Sequence, residues 1–256
     1  MPRVSKISIR VWTEHFLGTE QKCLDLLSIL ESMDNGKWIP EKWCEYEPVR
    51  WIYEPNDKAP LVTKWTTQRR ERFTNDLLFR KKKPYLEAMA SCWRWNTPHL
   101  NNISIGLDAK QFSSDDGPDR LKAIVLAFVD WSQAAYATLL YPGQMHYRAV
   151  RGTPKNRLDN LDWLTFFGKP YLELFGGEER VLAAPCYSTQ QISGGVLLTA
   201  THRPDTPGIT QSVETLIALE NYLGADAFAG QGYPEVPCRV PEFDLSETVN
   251  GGTAKS

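Results

Sequence analysis

The sequence predicts an α+β fold in which two tandem βαββα units form one mostly antiparallel sheet with helices packed on one face. Two observations carry this reading. Segments of strand period and of helical period follow one another in a similar order in each half of the chain, and glycines and prolines punctuate them. The composition is also that of a globular protein, with 256 residues, 42% hydrophobic, 23% charged and 11% aromatic. A chain of this length buries about 70–75% of its unfolded surface, so its core needs no staples. One domain is expected over residues 1–228, with halves at about 3–131 and 132–226 sharing one sheet and one core. An irregular tail over 229–256 follows.

Ile7, Ile9 and Val11 alternate with Ser8, Arg10 and Trp12, which is strand period. Gly18-Thr19 opens a helix whose one face carries Cys23, Leu26, Leu27, Leu30 and Met33, and Asn35-Gly36 stops it. Residues 37–60 hold several tryptophans and tyrosines among four prolines and read as an irregular connection, with a short strand near 49–53. Leu77 and Leu78 place part of the next stretch on an amphipathic helix. Residues 85–95 and 102–108 alternate around Asn96-Thr97-Pro98 and make a strand pair. Leu121, Ile124, Val125, Phe128 and Trp131 then form a helix face.

In the second half, 134–141 reads as a strand, and 158–167 and 171–175 read as helices ended by Gly168 and by Gly176-Gly177. Residues 180–189 and 196–201 read as a hairpin. A closing helix begins after Pro207-Gly208-Ile209-Thr210 and ends at Gly224.

Charge and chemistry exclude several classes. The formal charge of −2 supplies no global positive field to gather a polyanion, so nucleic acid is not an expected partner. The five cysteines are scattered without metal spacing and read as buried, reduced thiols. The first residues lack a 7–15-residue apolar stretch and no run of 18 apolar residues occurs, so a cytoplasmic protein with no membrane contact is expected. No serine-hydrolase elbow, phosphate loop, zinc-protease, dinucleotide or kinase motif occurs, and His15, His99, His146 and His202 lie far apart. No catalytic residue, metal or cofactor is therefore expected, and the chain does not read as an enzyme.

Asp115, Asp116 and Asp119 look like part of a calcium loop, but the glycine comes too early and no glutamate closes it; acids of a helix first turn explain them. Glu178 and Glu179 read as a solvated turn. The basic run Arg69, Arg70, Arg72 and Arg80 to Lys83 is interrupted by Glu71 and Asp76, and reads as a solvated helix face before a phosphate contact. Seven of the nine tryptophans precede residue 100, so they either fill the core of the first half or form an aromatic surface. Trp93 and Trp95 share one strand face.

The block Leu161-Asp162-Trp163-Leu164-Thr165-Phe166-Phe167-Gly168-Lys169-Pro170-Tyr171, continuing to Phe175-Gly176, is followed by Arg180-Val181-Leu182-Ala183-Ala184-Pro185, Gly194-Gly195-Val196 and Leu223-Gly224-Ala225-Asp226. With Pro40-Glu41-Lys42-Trp43 upstream, this order resembles the bacterial immunity protein 52 family over roughly residues 5 to 228. The resemblance implies a protein that binds and neutralises a cognate polymorphic or type VI secreted toxin, commonly a nuclease with a restriction-endonuclease-like domain. It names no site residue. The DNA-facing cleft of a nuclease is basic, so Asp115, Asp116, Asp159, Asp162, Glu178 and Glu179 are candidates to complement it, with Trp93 and Trp95 as aromatic anchors. Two alternatives are a non-catalytic regulatory or scaffold protein and, behind it, a nucleic-acid binder using the basic run.

Overall fold

The computed structural model describes residues 5–68, 73–141, 154–155, 157–158, 161–204, 209–228 and 238–249, the side chains of its last helix being described from residue 214 onward. Among them the fold is α+β, with one large antiparallel sheet of ten strands and six α-helices. The chain divides into two compact units, Met1–Ala134 with Asp244–Ser256, and Ala135–Phe243.

In the first unit β1 (Lys6–Thr13) leads into α1 (Glu20–Ser32), where the Thr19 hydroxyl caps the first turn by accepting from the Lys22 N–H at 3.3 Å. Asp34, Asn35 and Gly36 all take positive φ, which ends the helix. The connection that follows holds more order than its aromatics and prolines predict: β2 (Lys42–Cys44), β3 (Trp51–Ile52) and α2 (Ala59–Thr66). Next come β4 (Phe73–Lys81), β5 (Leu86–Arg94), β6 (Asn101–Asp108) and α3 (Gly117–Ser132). Leu77 and Leu78, expected on a helix, lie in β4. The correction follows from Phe73, Asn75, Leu77 and Phe79, which are buried at every second position and define a half-covered strand.

Strand order in this unit is β3-β2-β4-β5-β6-β1, with every pairing antiparallel. The registers align inward rows across four strands: Phe79, Ala88, Ile105 and Ile9 in one, Leu77, Ala90, Ile103 and Val11 in the next. The helices cover this face, α2 against β4, α3 against β1, and α1 touching both helices. Trp38 stacks on Phe112 at 5.7 Å between ring centres, and the buried Trp65 donates its indole N–H to the Leu17 carbonyl at 2.7 Å. Tryptophans therefore fill much of this core, as one of the two readings held.

The second unit contains β7 (Tyr136–Leu140), β8 (Leu164–Gly168), α4 (Lys169–Leu174), α5 (Glu178–Leu182), β9 (Ser188–Ile192), β10 (Gly195–Thr199) and α6 (Ile209–Leu223). Its strands run β7-β8-β10-β9. Two expectations need correction. Part of the helix expected over 158–167 is β8, because every residue of that strand is buried and no alternation remains to mark it. The first hairpin strand begins at Ser188, since Arg180 and its neighbours form α5. Gly195 sits so close to β8 that a Cβ there would lie 2.1 Å from the Phe167 carbonyl oxygen.

An aromatic cluster of Tyr136, Phe167, Tyr171, Phe175, Phe228 and Phe243 holds this unit, with neighbouring ring centres 5.0 to 6.1 Å apart. Three of those rings, Phe167, Tyr171 and Phe175, come from the short stretch 161–176.

Residues beyond 243 return to the first unit. Ser246–Thr248 make a single 3₁₀ turn, Thr248 accepts from the Trp95 N–H at 3.1 Å, and the Glu247 carboxylate takes the Phe16 N–H at 3.0 Å and pairs with His15 at 3.1 Å. Arg94 spans this contact, stacked 3.6 Å from the Phe16 ring centre and donating to the Glu247 carbonyl at 2.8 Å.

Phe128 is fully buried on α3. F128A is expected to cost about 3–5 kcal/mol, read as a lower urea midpoint with unchanged slope. Asp34 receives two hydrogen bonds from Arg120, at 2.8 and 2.6 Å, and one from Trp38 at 3.1 Å; the Arg120 bonds chiefly hold its carboxyl below the usual range. A folded pKa lower than the unfolded value of about 3.9 adds stability that is present above that pH and is lost as pH falls through the folded value. Stability of D34N should therefore fall less steeply than that of the wild type between about pH 5 and pH 1, and equal slopes would contradict the role given to this pair.

Candidate interaction surface

In the first unit, the face of the strands opposite the helices is assembled by the same registers that build its core. Lys42, Arg80, Glu87, Gly106 and Ser8 form one outward row. Cys44, Leu78, Met89, Ser104 and Arg10 form the next, Asp76, Ser91, Asn102 and Trp12 a third, and Thr74 and Trp93 a fourth. Met89, 39% exposed, stands at the centre, with half-buried Leu78 beside it, and Ile52, paired with Lys42 at the β3 edge, is 67% exposed. Trp12 and Trp93 are half-buried on the same face.

Polar groups around this centre are mostly engaged. Glu87 accepts from Lys6 at 3.1 Å and from the Tyr85 hydroxyl, and lies 3.6 Å from Arg80, which also grips Glu47 at 2.5 Å. The Tyr85 hydrogen bond chiefly, aided by Lys6 and working against desolvation, holds the Glu87 carboxyl below its ordinary range. The Lys6 chain reaches Glu87 across Gly106, where a Cβ would lie 1.9 Å from its Cε. Asp76 accepts from Ser91 at 2.5 Å, and Asp108, opposite Lys6, accepts from the Lys110 N–H at 3.1 Å. Arg10 and Lys42 are exposed, and among the described residues neither enters an ion pair.

Of the candidates drawn from the sequence, Trp93 lies on this face and Trp95 at its end. Asn101 fixes Trp93 by accepting from its N–H at 2.6 Å and donating to its carbonyl at 3.3 Å, and His99 packs against the ring at 5.3 Å. Trp95 is 36% exposed and bridges to Val249. Arg94, on the core side of β5, leaves the core beside Phe16, so both tryptophans can look outward. Asp115 and Asp116 are exposed at the start of α3, where Asp116 accepts from Ser114 at 2.5 Å and lies 3.8 Å from Arg120. In the second unit Asp162 accepts from the Thr138 hydroxyl, which ties β7 to the segment two residues before β8, and Glu178 accepts from Gln191 of β9 at 2.5 Å. Glu179 is exposed in the first turn of α5. Asp159, His146 and Arg69 to Arg72 lie outside the described residues. Met89, Leu78, Ile52, Arg10 and Lys42 were not singled out from sequence; the alternation of β4 and β5 is the signal that marks them once Leu77 and Leu78 are placed on a strand.

Among the described residues no group of three or more His, Cys, Asp or Glu side chains could hold a metal ion, and no helix is long and apolar enough to cross a membrane. Burial pushes the Cys23 thiol up to about 12 and Cys92 well above its usual value, so neither is a ready thiolate.

No protein-family model matches the chain, and no curated protein matches it. Among solved structures it is similar to the Pseudomonas aeruginosa T6SS protein PA0821, with 12% identity and a TM-score of 0.55, over 86% of this chain and 76% of that one. At that identity the likeness is one of fold.

Because Asp162 joins two strands rather than facing solvent alone, D162A should cost about 1–3 kcal/mol. E179A, at an exposed position of α5, should leave the unfolding midpoint close to where it is. Urea unfolding of the two variants beside the wild type checks this contrast.

Proposed function

We propose that this chain acts in type VI secretion as an immunity protein, binding a cognate antibacterial toxin, of the nuclease kind, and neutralising it by direct occlusion. The observation that carries the reading is the shared fold with a T6SS protein across most of both chains. The aromatic block around Tyr171 that resembles immunity protein 52 supports it from the sequence side.

A binder of this kind needs a rigid, protein-sized surface rather than a reaction centre. The strands of the first unit supply one: they are locked from behind by a helical layer, so an outward side chain can meet a partner without first being ordered. Occlusion of a nuclease domain corresponds to an interface of about 1,200–2,000 Å² in total, within which a few aromatic or arginine anchors dominate.

The test starts from the gene beside that of this chain, which is expected to encode a nuclease-domain toxin. Cells expressing that toxin are expected to survive only when this chain is co-expressed, and the two proteins are expected to copurify in equal amounts. Killing that proceeds equally with and without the chain would overturn the reading.

A further inference from the structure

We infer that the outer face of the first unit's strands meets a second copy of this chain, across a two-fold axis that lies in the face and passes through Met89. The inference concerns what this face contacts in the free chain and stands apart from the toxin-binding reading.

The solvated face of an antiparallel sheet is ordinarily polar, and this one breaks the pattern at its middle. Met89 is 39% exposed, and Leu78 is its direct cross-strand partner. Trp12 and Trp93 lie farther along the same face. Methionine is the adaptable apolar side chain, and tryptophan is enriched among binding anchors.

The charges select the occupant. Lys6, Arg80, Glu87 and Glu47 neutralise one another, two cations against two acids. Four charges of the strands remain. Among the described residues Arg10 and Lys42 enter no ion pair, and Asp76 and Asp108 accept from neutral donors, the Ser91 hydroxyl and the Lys110 N–H. A partner surface of one sign would match two of these charges and oppose the other two. A surface bearing both signs at this spacing matches all four, and the face is itself such a surface.

The registers show how it meets its own copy. With strands about 4.8 Å apart and outward residues of one strand about 6.8 Å apart, Arg10 lies about 10 Å from Met89 and Asp76 about 8 Å. On the same spacing Lys42 lies about 12 Å from Met89 and Asp108 about 14 Å. The line through Met89 midway between Arg10 and Asp76 runs within about 10° of the line midway between Lys42 and Asp108, so one axis serves both pairs. A two-fold along it sets Met89 on Met89, Arg10 against Asp76 of the second copy and Lys42 against Asp108 of the second copy, each charge pair occurring twice. The same operation brings Trp12 to Trp93 of the second copy. Within one chain Arg10 and Asp76 stand about 16 Å apart, too far to pair with each other. From β3 to β1 the face spans about 24 Å, and from Asp108 to Trp93 about 27 Å along the strands. Those dimensions suit an interface at the lower end of the stable range.

Sedimentation of the full chain over a range of concentrations reads the association, and a monomer–dimer equilibrium is expected for the wild type. M89D should weaken dimerisation about tenfold or more. R10D and D76R should each weaken it about tenfold at low salt and much less at high salt. An equimolar mixture of R10D and D76R should associate as the wild type does, because a mixed dimer again sets an acid opposite a base at both contacts. E178Q combined with E179Q, in the other unit, should leave the equilibrium unchanged. Thermal unfolding of each variant confirms that it is folded, and M89A provides a milder change at the same position if M89D does not fold.

A wild type that stays monomeric at every concentration, or a mixture that associates no better than its two components, would overturn the proposal. If a monomeric wild type binds the product of the neighbouring gene and M89D abolishes that binding, the face belongs to a foreign partner and the proposal is equally wrong.

Discussion

A slip of one residue in β4 would carry Phe73, Leu77 and Phe79 to solvent and press Asp76 and Arg80 against the helices. The first unit is organised around preventing that slip. Two of its inward rows are apolar across four strands, so a one-residue shift of the pairing buries charge. Polar pins reinforce the register from both sides. Asn75, buried, donates to the Trp65 and Thr67 carbonyls at 2.9 and 2.8 Å and ties β4 to the end of α2. Asn101 bonds both backbone groups of Trp93 across the β5–β6 pair, and on the outside Asp76 meets Ser91. The exposed rows are a by-product of the same alignment, so the outer surface is as well defined as the core behind it.

The second unit meets the same requirement by another route. β8 and β10 are buried at every position, so neither face of these strands offers water as a guide to register. Steric and aromatic fit replace it. Gly195 leaves no room for a side chain against the Phe167 carbonyl, the Thr138 to Asp162 bond sets where β7 meets β8, and the rings around Tyr171 lock α4 over the strands. The residues of the 161–176 block are therefore packing residues, and packing residues set an architecture without assigning it a function.

This division explains what could be read from the chain alone. Ile7, Ile9 and Val11, the face of α1, the 85–108 strand pair and α3 were legible because each buries one side only, which leaves its period in the sequence. β8 was misread because full burial erases the period. β4 was misread because two adjacent leucines fit a helix face, although one of them points to solvent. That second error also hid the surface around Met89, since outward residues can be named only once a strand has been recognised. The acidic candidates were legible as residue types, but Asp162 and Glu178 have neighbours, Thr138 and Gln191, that no local pattern announces.

The contact of residues 244–249 with Phe16, Arg94 and Trp95 has a consequence for biosynthesis. The first unit is discontinuous, and 135–243 are translated before its last piece leaves the ribosome. Until then the Phe16 N–H lacks the Glu247 carboxylate and the Trp95 N–H lacks the Thr248 carbonyl. The nascent sheet thus carries an open end through nearly the whole of translation, and closure of that end marks a chain whose second unit has already been made. A chain truncated within 135–243 therefore holds a first unit without this fastening, its Phe16 and Trp95 N–H groups left without their acceptors at 247 and 248.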